Sequence, residues 1–502
     1  MRAAISNSLA VFRWVFWRLP GAFSIPFFVL TIWWFLMGFR WAEAILVDPL
    51  SSAINHWVKT LFPIGMGQFV NYGLGPALSA VVVLGVFLAG LLISYNLCAG
   101  LNWLAVNAWN RPLKNLIGQP TPVVIPAADP AFAKFQHIGI VLAGGGAKGA
   151  FQAGAMKAIY RFLEEKGALD RVEVIAGTSI GSWNALFWLA NLIKPANGNW
   201  DDSAGGHEVW WRSVNAKMLA PDWYVPFMRN SFLSTGPWRR LFDLIFAEQT
   251  AVASRISGSD IHFYLTRSNV QTGGLYCATN NPKHRNIAGV KYDQLAPNDP
   301  RFMAKLKAAV FASMDLPPLF PYYPIEDALF EDGGVIDNLP IQFAAVQGCD
   351  LIFILPLTAS FEENTVNGTS VAARLMRVID VRQGALERGG FTMLYLYNEL
   401  AAMRQALVKT GAPLPAEGLV ADVIRRNNPV LTTFAICPES TFVNNTIGTE
   451  EFWKTKEAAH AFSVMYKATW NALQTFDFDA ARDRVRLALV SAGENVTWKE
   501  DF

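Results

Sequence analysis

The chain has 502 residues, of which 52% are apolar and 16% are charged, against about 25% charged residues in an ordinary soluble protein. Its 42 basic and 40 acidic residues leave a net charge of +2, so it lacks the basic excess that nucleic-acid binding requires and we expect no nucleic-acid partner. The four cysteines are too scattered for a disulfide framework or a zinc site, which favours a reducing compartment.

The charge deficit is concentrated at the N-terminal end. Residues 19–39 and residues 60–110 contain no charged side chain, and about 20 apolar residues are enough to cross a bilayer as a helix. We therefore predict a two-helix transmembrane hairpin within residues 1–118, with spans at about 23–39 and 77–98. A cleaved signal peptide is the alternative for the first span, but the apolar run is longer than such peptides use.

Basic residues near the predicted spans set the expected orientation. Five flank the outer ends of the hairpin and two lie in its connecting loop: Arg2, Arg13, Arg18, Arg111 and Lys114 against Arg40 and Lys59. This excess predicts that both termini, and all that follows the hairpin, are cytoplasmic. The small residues Gly85 and Ala89 offer a site where the two spans, or two protomers of a homo-oligomer, could pack closely.

A linker and a globular region follow. Residues 119–134 contain four prolines and no helical pattern. From residue 135, short apolar strands alternate with helical stretches, which is typical of an α/β fold with a mainly parallel sheet covered by helices on both faces, a three-layer arrangement. We expect a catalytic core over residues 135–350, and further strands and a helical C-terminal part, without an interpretable motif, over residues 351–502.

A glycine-rich loop follows the first predicted strand and leads directly into a helix. Free amides and the positive end of a helix dipole at such a position favour an anionic group. The loop also fits the dinucleotide-binding fingerprint, but no acidic residue ends the second strand to hold a ribose. It is not a P-loop either, because its lysine precedes the last glycine. The loop consists of Gly144, Gly145, Gly146, Ala147, Lys148 and Gly149.

The second predicted strand ends in the sequence GTSIG, residues 177–181. This is the G-x-S-x-G pattern of a nucleophile elbow, in which a serine occupies a sharp strand-to-helix turn. Gly177 and Gly181 would prevent clashes beside Ser179. A serine that merely caps the following helix would explain neither glycine.

An acyl-transfer serine needs a base and an oxyanion hole. Of the six histidines only His460 comes late enough for the order found in α/β-hydrolases, and its surroundings are those of an ordinary helix. Asp332 is the better candidate, because it ends a predicted strand and is followed by Gly333 and Gly334 before the next helix, which we expect near Leu339.

Taken in order, the motifs GGGAKG, GTSIG and DGG resemble those of the patatin-like phospholipases, over roughly residues 135–350. The resemblance implies a Ser-Asp dyad in which Ser179 attacks the ester and Asp332 accepts its proton. We expect the Asp332 carboxyl to have its ordinary pKa of about 3.9 and therefore to be ionised at neutral pH. The resemblance also implies an oxyanion hole in the loop 144–149, with amides from Gly145 to Ala147 as the donors. Lys148 would add positive charge there, stabilise the turn or contact a lipid phosphate.

Two features stand beside the resemblance. Asp315 occupies a position in ASMDLPP where the family usually has small residues. A cluster of aromatic residues interleaved with basic ones suits either the headgroup zone of an anionic leaflet or a core beneath a cap. It comprises Trp210, Trp211, Trp223, Tyr224, Phe227, Phe232, Trp238, Phe242 and Phe246.

The sequence thus predicts a membrane-anchored serine acyl hydrolase that cleaves fatty-acyl esters of phospholipids or lysophospholipids, without metal or cofactor. We expect it in a bacterial inner membrane with its catalytic domain on the cytoplasmic side. The alternatives are a neutral-lipid lipase or an acyltransferase that uses the same acyl-enzyme, and a non-catalytic lipid-binding protein on the same fold, in which the dyad would be lost.

Overall fold

The computed structural model describes residues 117–499 apart from 124, 215–219, 222–232, 359–370, 412–429, 450, 453 and 483–484, together with scattered positions between residues 52 and 115. The predicted span at 23–39 lies outside the described residues, as does much of the predicted span at 77–98. Within the described part of the chain, no helix combines the length and the apolarity needed to cross a bilayer.

The strands, in chain order, are β1 (Ile138–Leu142), β2 (Val172–Thr178), β3 (Ala220–Pro221), β4 (Leu233–Ser234), β5 (His262–Asn269), β6 (Leu275–Thr279), β7 (Val290–Gln294), β8 (Tyr323–Ile325), β9 (Ala328–Asp332), β10 (Leu351–Leu355), β11 (Thr432–Pro438), β12 (Leu487–Val490) and β13 (Val496–Lys499).

Among the described residues, the central sheet has 11 strands in the order β13-β12-β11-β10-β1-β2-β5-β6-β7, with β9 also on β5 and β8 on β9. The six neighbours from β12 to β5 all run parallel. Central strands such as β1 (IGIVL) and β10 (LIFIL) are apolar throughout because both of their faces are buried. The mainly parallel α/β sheet predicted from the alternating pattern is confirmed.

The helices are α1 (Gly149–Glu165), α2 (Ile180–Leu189), α3 (Gly206–Ser213), α4 (Gly236–Phe242), α5 (Thr250–Ser257), α6 (Phe302–Met314), α7 (Ile341–Gln347), α8 (Val371–Thr410), α9 (Ser440–Thr446) and α10 (Thr455–Thr475). Short 3₁₀ turns cover Gly146–Lys148, Leu169–Arg171, Gly333–Val335 and Ala480–Arg482, and a π-helical turn covers Asp243–Ala247.

Apolar side chains form a separate core on each face of the sheet. In β1, Ile138, Ile140 and Leu142 face a core shared with α1, α2 and α10. Val141 points to the opposite face, into a core that includes side chains of α7 and α8. The alternation follows from the two-residue period of a strand. Helices therefore cover the sheet on both sides.

The segments before and after the predicted core pack onto it. Within the predicted linker, the Thr121 amide donates a hydrogen bond to the Asn191 carbonyl oxygen (3.1 Å), and Phe132 is buried. Downstream of residue 350, β10 pairs directly with β1 and carries β11 to β13 on its other edge. Residues 351–499 thus contribute strands to the sheet that carries the predicted site.

Candidate active site

The glycine-rich loop and the elbow serine lie at the carboxyl ends of two neighbouring parallel strands. β1 ends at Leu142, just before the loop, and β2 ends at Thr178, just before Ser179. The chain continues from β1 to β2 on one side and returns later to β10 on the other, and ligands of open α/β sheets bind at such a reversal of strand order. A Cβ built on Gly144 would lie 2.9 Å from Ser179 Cβ, so the two motifs are in direct proximity.

Asp332 reaches the same point from the opposite direction. The pairing of β2 with β5 ends where Thr178 lies opposite Thr266. From Arg267 onward the same edge of β5 pairs with β9, and Asp332 lies opposite Arg267. Because β9 runs antiparallel to β5, its last residue meets the end of β2. The Ser179 hydroxyl donates a hydrogen bond to Asp332 Oδ2 at 2.5 Å.

Ser179 occupies a strained backbone conformation, with φ 54° and ψ −125°. A non-glycine residue with positive φ persists only where its surroundings hold it. Here the Ser179 amide donates to Ser313 Oγ on α6 at 2.8 Å. The turn also brings α2 against β1, where a Cβ on Gly181 would lie 2.4 Å from the Leu142 carbonyl oxygen. These features are those of a nucleophile elbow.

Gly177 and Gly333, the two other glycines predicted to support the site, also lie where a side chain would clash. A Cβ on Gly177 would lie 2.8 Å from the Gly181 carbonyl carbon, which is the inside of the elbow turn. A Cβ on Gly333 would lie 2.4 Å from Thr266 Oγ1, where the DGG turn passes over β5. Both glycines therefore allow the backbone approach that brings Ser179 and Asp332 together.

The Asp332 carboxylate is fully buried, and this corrects the expectation of an ordinary acidity. Burial raises the pKa of Asp332 to about 7, although the hydrogen bonds from Ser179 and from the Gly334 amide (2.7 Å) act in the opposite direction. The predicted pKa near 3.9 was wrong because the sequence does not show how completely the carboxylate is removed from water. Near neutral pH, Asp332 therefore exists in both protonation states.

The glycine-rich loop is held by the C-terminal part of the chain. The Ala147 amide donates to the Thr449 carbonyl oxygen at 2.8 Å. Gly146 has φ 57°, and a Cβ at this position would lie 2.1 Å from the same carbonyl oxygen. A larger residue at position 146 would therefore displace either the loop or Thr449, and the Ala147 amide, expected as an oxyanion donor, already has an acceptor.

Other amides of the loop are also engaged. The Gly144 amide donates to the Asn338 carbonyl oxygen (3.1 Å), and the Lys148 amide donates to the Gly145 carbonyl oxygen (3.2 Å). Within the described residues, no backbone carbonyl accepts from the amides of Gly145 or Gly146. These two amides are the candidate donors to an oxyanion.

The Lys148 side chain is buried and points to α8. Its Nζ atom lies 3.4 Å from Asp380 Oδ1, and the Thr449 hydroxyl contacts the same oxygen. This geometry favours a structural role in the loop over contact with a lipid phosphate. The loop ends at Gly149, the first residue of α1, where a Cβ would lie 2.6 Å from Ile180 Cγ1.

Comparison with known proteins agrees with this geometry. Residues 140–345 match the patatin-like phospholipase family, a range that begins within β1 and ends within α7 and includes the loop, the elbow and the DGG turn. These residues form a patatin-like phospholipase domain. A phospholipase hydrolyses lipid esters, so the domain is of an ester-hydrolase type.

Curated relatives of the patatin-like domain are fungal lysophospholipases. One from Aspergillus terreus is 28% identical over 46% of this chain. One from Saccharomyces cerevisiae is 28% identical over 43% of it. The matched segment spans only 12% and 10% of the length of those two proteins. Among solved structures, VipD from Legionella pneumophila matches over 71% of this chain and 70% of its own, at 14% identity and a TM-score of 0.31.

Asp315, the departure from the family pattern, lies directly beside the catalytic candidate. Its carbonyl oxygen accepts a hydrogen bond from the Asp332 amide at 3.1 Å. Its buried carboxylate forms an ion pair with Arg239 of α4 (3.0 Å). Burial raises the pKa of Asp315 to about 7, against the opposing effect of the Arg239 charge. The patatin-like domain thus connects Asp332 to α4 through one additional buried acid.

Three polar residues near Ser179 and Asp332 were not predicted from the sequence. Ser313 accepts from the Ser179 amide, as described above. Asn338 Nδ2 donates to the Gly144 carbonyl oxygen (3.3 Å) and to Glu387 Oε1 on α8 (2.7 Å). Glu387 is fully buried, and burial raises its pKa to about 8. Asn338 lies close to the DGG motif, but Glu387 is 49 residues further along and carries no local signal.

The histidines and the aromatic cluster have other roles in the patatin-like domain. Among the described residues, no histidine hydrogen-bonds to Ser179 or Asp332, and His460 is exposed on α10 with its ring edge-on to Phe442. The described members of the aromatic cluster are buried around Trp183 and form core rather than a headgroup-facing surface: Trp210, Trp211, Trp238, Phe242 and Phe246. The other four lie outside the residues whose side chains are described.

Proposed function

We propose that this protein is a serine acyl hydrolase that cleaves fatty-acyl esters of phospholipids or lysophospholipids with a Ser179–Asp332 dyad. The observation that carries the proposal is the 2.5 Å hydrogen bond between the two side chains, on a strained elbow beside a glycine loop with two unengaged amides. The names of the fungal relatives favour a lysophospholipid substrate.

The geometry suggests the following reaction. Asp332 accepts the Ser179 proton as Oγ attacks the ester carbonyl carbon. The developing oxyanion is stabilised by the amides of Gly145 and Gly146. Collapse of the intermediate breaks the ester bond, and the leaving alcohol takes the proton from Asp332. Water then attacks the acyl-enzyme with Asp332 as base, which releases the fatty acid and restores Ser179.

A neutral-lipid lipase and an acyltransferase would use the same acyl-enzyme. They differ in the group that enters or leaves, so mass spectrometry of products from a lipid panel, with water or a lysolipid as acceptor, separates them. A non-catalytic lipid-binding protein would not need a bonded serine–aspartate pair on a strained turn.

We also propose that residues 1–118 anchor the enzyme in a membrane with its catalytic domain on the cytoplasmic side. The support is the absence of charge in two long segments and the distribution of basic residues around them. The described positions of the predicted second span are helical and carry exposed apolar side chains, which suit a lipid environment: Val81, Leu84, Leu88, Ile93 and Leu97.

Substitution of the dyad tests the proposal. We expect Ser179→Ala to abolish hydrolysis and labelling by a fluorophosphonate, and Asp332→Asn to lower kcat by about 1,000-fold or more, because the amide cannot accept the serine proton. Both proteins should retain the circular dichroism of the parent.

Asp337→Asn is the matched control, because Asp337 is a neighbouring, half-buried aspartate whose carboxylate bonds to Gln342 and not to Ser179. It should retain most of the activity. Persistent labelling of Ser179→Ala, or equal loss in Asp337→Asn, would refute the assigned dyad.

A further inference from the structure

The helix α8 (Val371–Thr410) has one face that the rest of the described chain leaves uncovered. Large apolar side chains recur on that face over several turns, and they are 40–65% exposed. We call them the α8 stripe: Val378, Val381, Met393, Leu396, Leu400, Met403 and Leu407. Their spacing of three or four residues from position 393 onward is that of a single side of a helix.

The opposite face of α8 is buried against the patatin-like domain. Its inward side chains include Gln383, Glu387, Phe391, Leu394 and Asn398. The Leu431 amide donates a hydrogen bond to Asn398 Oδ1 (3.0 Å), and Asn398 Nδ2 donates one to the Leu431 carbonyl oxygen (3.2 Å). The helix is therefore fixed in rotation, and the α8 stripe must face outward.

The charged residues of α8 are predominantly basic on the accessible side. From residue 377 onward, three basic residues and one acidic residue of the helix are exposed: Arg382, Arg388 and Lys409 against Glu399. Glu387 is buried and Asp380 contacts Lys148, so Glu399 is the acid left on the exposed side. An apolar stripe with basic neighbours is complementary to a bilayer that contains anionic lipid.

We propose that α8 is an interfacial helix, whose apolar stripe inserts into an anionic lipid surface and thereby places the active site at the bilayer. The choice of lipid as the partner rests on the proposed function.

The inner face of the helix touches the active site. Glu387 bonds through Asn338 to the Gly144 carbonyl oxygen, and Asp380 contacts Lys148 in the same loop. A helix with its side chains is about 10 Å thick. A bilayer that receives the outer face of α8 therefore lies within about one helix diameter of the oxyanion loop.

The test measures the depth of single labelled positions in the full chain. The protein carries Ser179→Ala, which prevents lipid turnover, and Cys98→Ser, since the other three cysteines are buried. A fluorescent label is attached at Leu400→Cys of the α8 stripe or at Gln474→Cys, an exposed control position on α10. Each protein is reconstituted into nanodiscs of phosphatidylcholine with phosphatidylglycerol, in which both faces of the bilayer meet solvent.

We expect nitroxide-labelled lipid to quench the fluorescence at position 400 and to spare position 474, and aqueous iodide to do the reverse. Omission of phosphatidylglycerol should reduce the lipid quenching at position 400. Equal iodide quenching at both positions would overturn the proposal, because the stripe would then lie in water. Protection of position 400 from both quenchers would also overturn it, since protein, from this chain or a second copy, would cover the stripe.

This experiment is independent of catalysis, because the nucleophile is absent. Failure of the dyad assignment would leave the depth result unchanged. A stripe found in water would leave the dyad assignment unchanged.

Discussion

At the scale of single residues, the burial of Asp332 determines how the site responds to pH. An aspartate in an unfolded chain has a pKa near 3.9, whereas burial raises the pKa of Asp332 to about 7 in the folded protein. Folding therefore favours the protonated carboxyl group. The contribution of this residue to the free energy of unfolding therefore decreases progressively from about pH 4 to about pH 7, and the full loss of stability is present above that range. The ionised carboxylate that the proposed mechanism needs therefore lowers the stability of the fold.

The decrease of activity at low pH should reflect the protonation of Asp332. We expect kcat/KM for a short soluble ester to fall about tenfold per pH unit below about pH 7 and to level off above it, because the free enzyme must carry an ionised Asp332. Initial rates across buffered pH values, with circular dichroism at each pH to verify folding, measure this decrease. A rate that stays constant down to about pH 5 would show that the base is a different group or that Asp332 is ionised throughout.

At the scale of elements, the contact between α1 and α10 depends on a glycine. A Cβ on Gly154 in α1 would lie 2.2 Å from the Phe462 carbonyl oxygen of α10. The neighbour is backbone and cannot rotate away, so the two helices would have to separate. The same contact packs α10, which lies more than 100 residues beyond the family match, onto the helix that follows the glycine-rich loop.

Two glycine-to-alanine substitutions in helices should therefore have opposite effects. We expect Gly154→Ala to lower the free energy of unfolding by about 1–3 kcal/mol through overpacking. A Cβ on Gly389 in α8 would meet no atom within 4 Å, so Gly389→Ala should raise the free energy of unfolding by about 0.5–1 kcal/mol. Urea denaturation of both variants measures the difference. A loss of stability in both would mean that α8 needs the flexibility of glycine.

At the scale of the whole molecule, the relation between the N-terminal region and the catalytic domain can be tested by deletion. Ile117 is buried, and Thr121 bonds to Asn191 and to Lys194. A chain that begins at residue 117 retains these contacts. We expect it to fold and to hydrolyse short soluble esters, but to act more slowly on bilayer lipid, because the proposed anchor raises the effective concentration of enzyme at the surface.

Rates on a soluble ester and on liposomes, compared with those of the full chain, check this expectation. Equal rates on liposomes would mean that residues 1–116 do not serve as a tether. Failure to fold would mean that they form part of the domain core.

The fold class and the central motifs could be predicted because each depends on residues that are adjacent in the chain. Runs of apolar residues specify strands that are buried on both faces, as in β1 and β10. A serine on a strained turn needs small neighbours within two residues, so Ser179 is visible in five letters of sequence. Asp332 was found in the same way, from the two glycines that follow it.

The electrostatic state of the site depends on contacts between distant parts of the chain. The Ala147 amide is engaged by Thr449, some 300 residues away, and Lys148 by Asp380. Asp315 is paired with Arg239 on a different helix.

Adjacent residues determined where the backbone turns and which side chains lie on those turns, because sterics of the backbone act over a few residues. The tertiary structure decided which amides remain open to an oxyanion and how acidic Asp332 is, because desolvation and hydrogen bonding depend on every atom that surrounds a group, whatever its position in the chain.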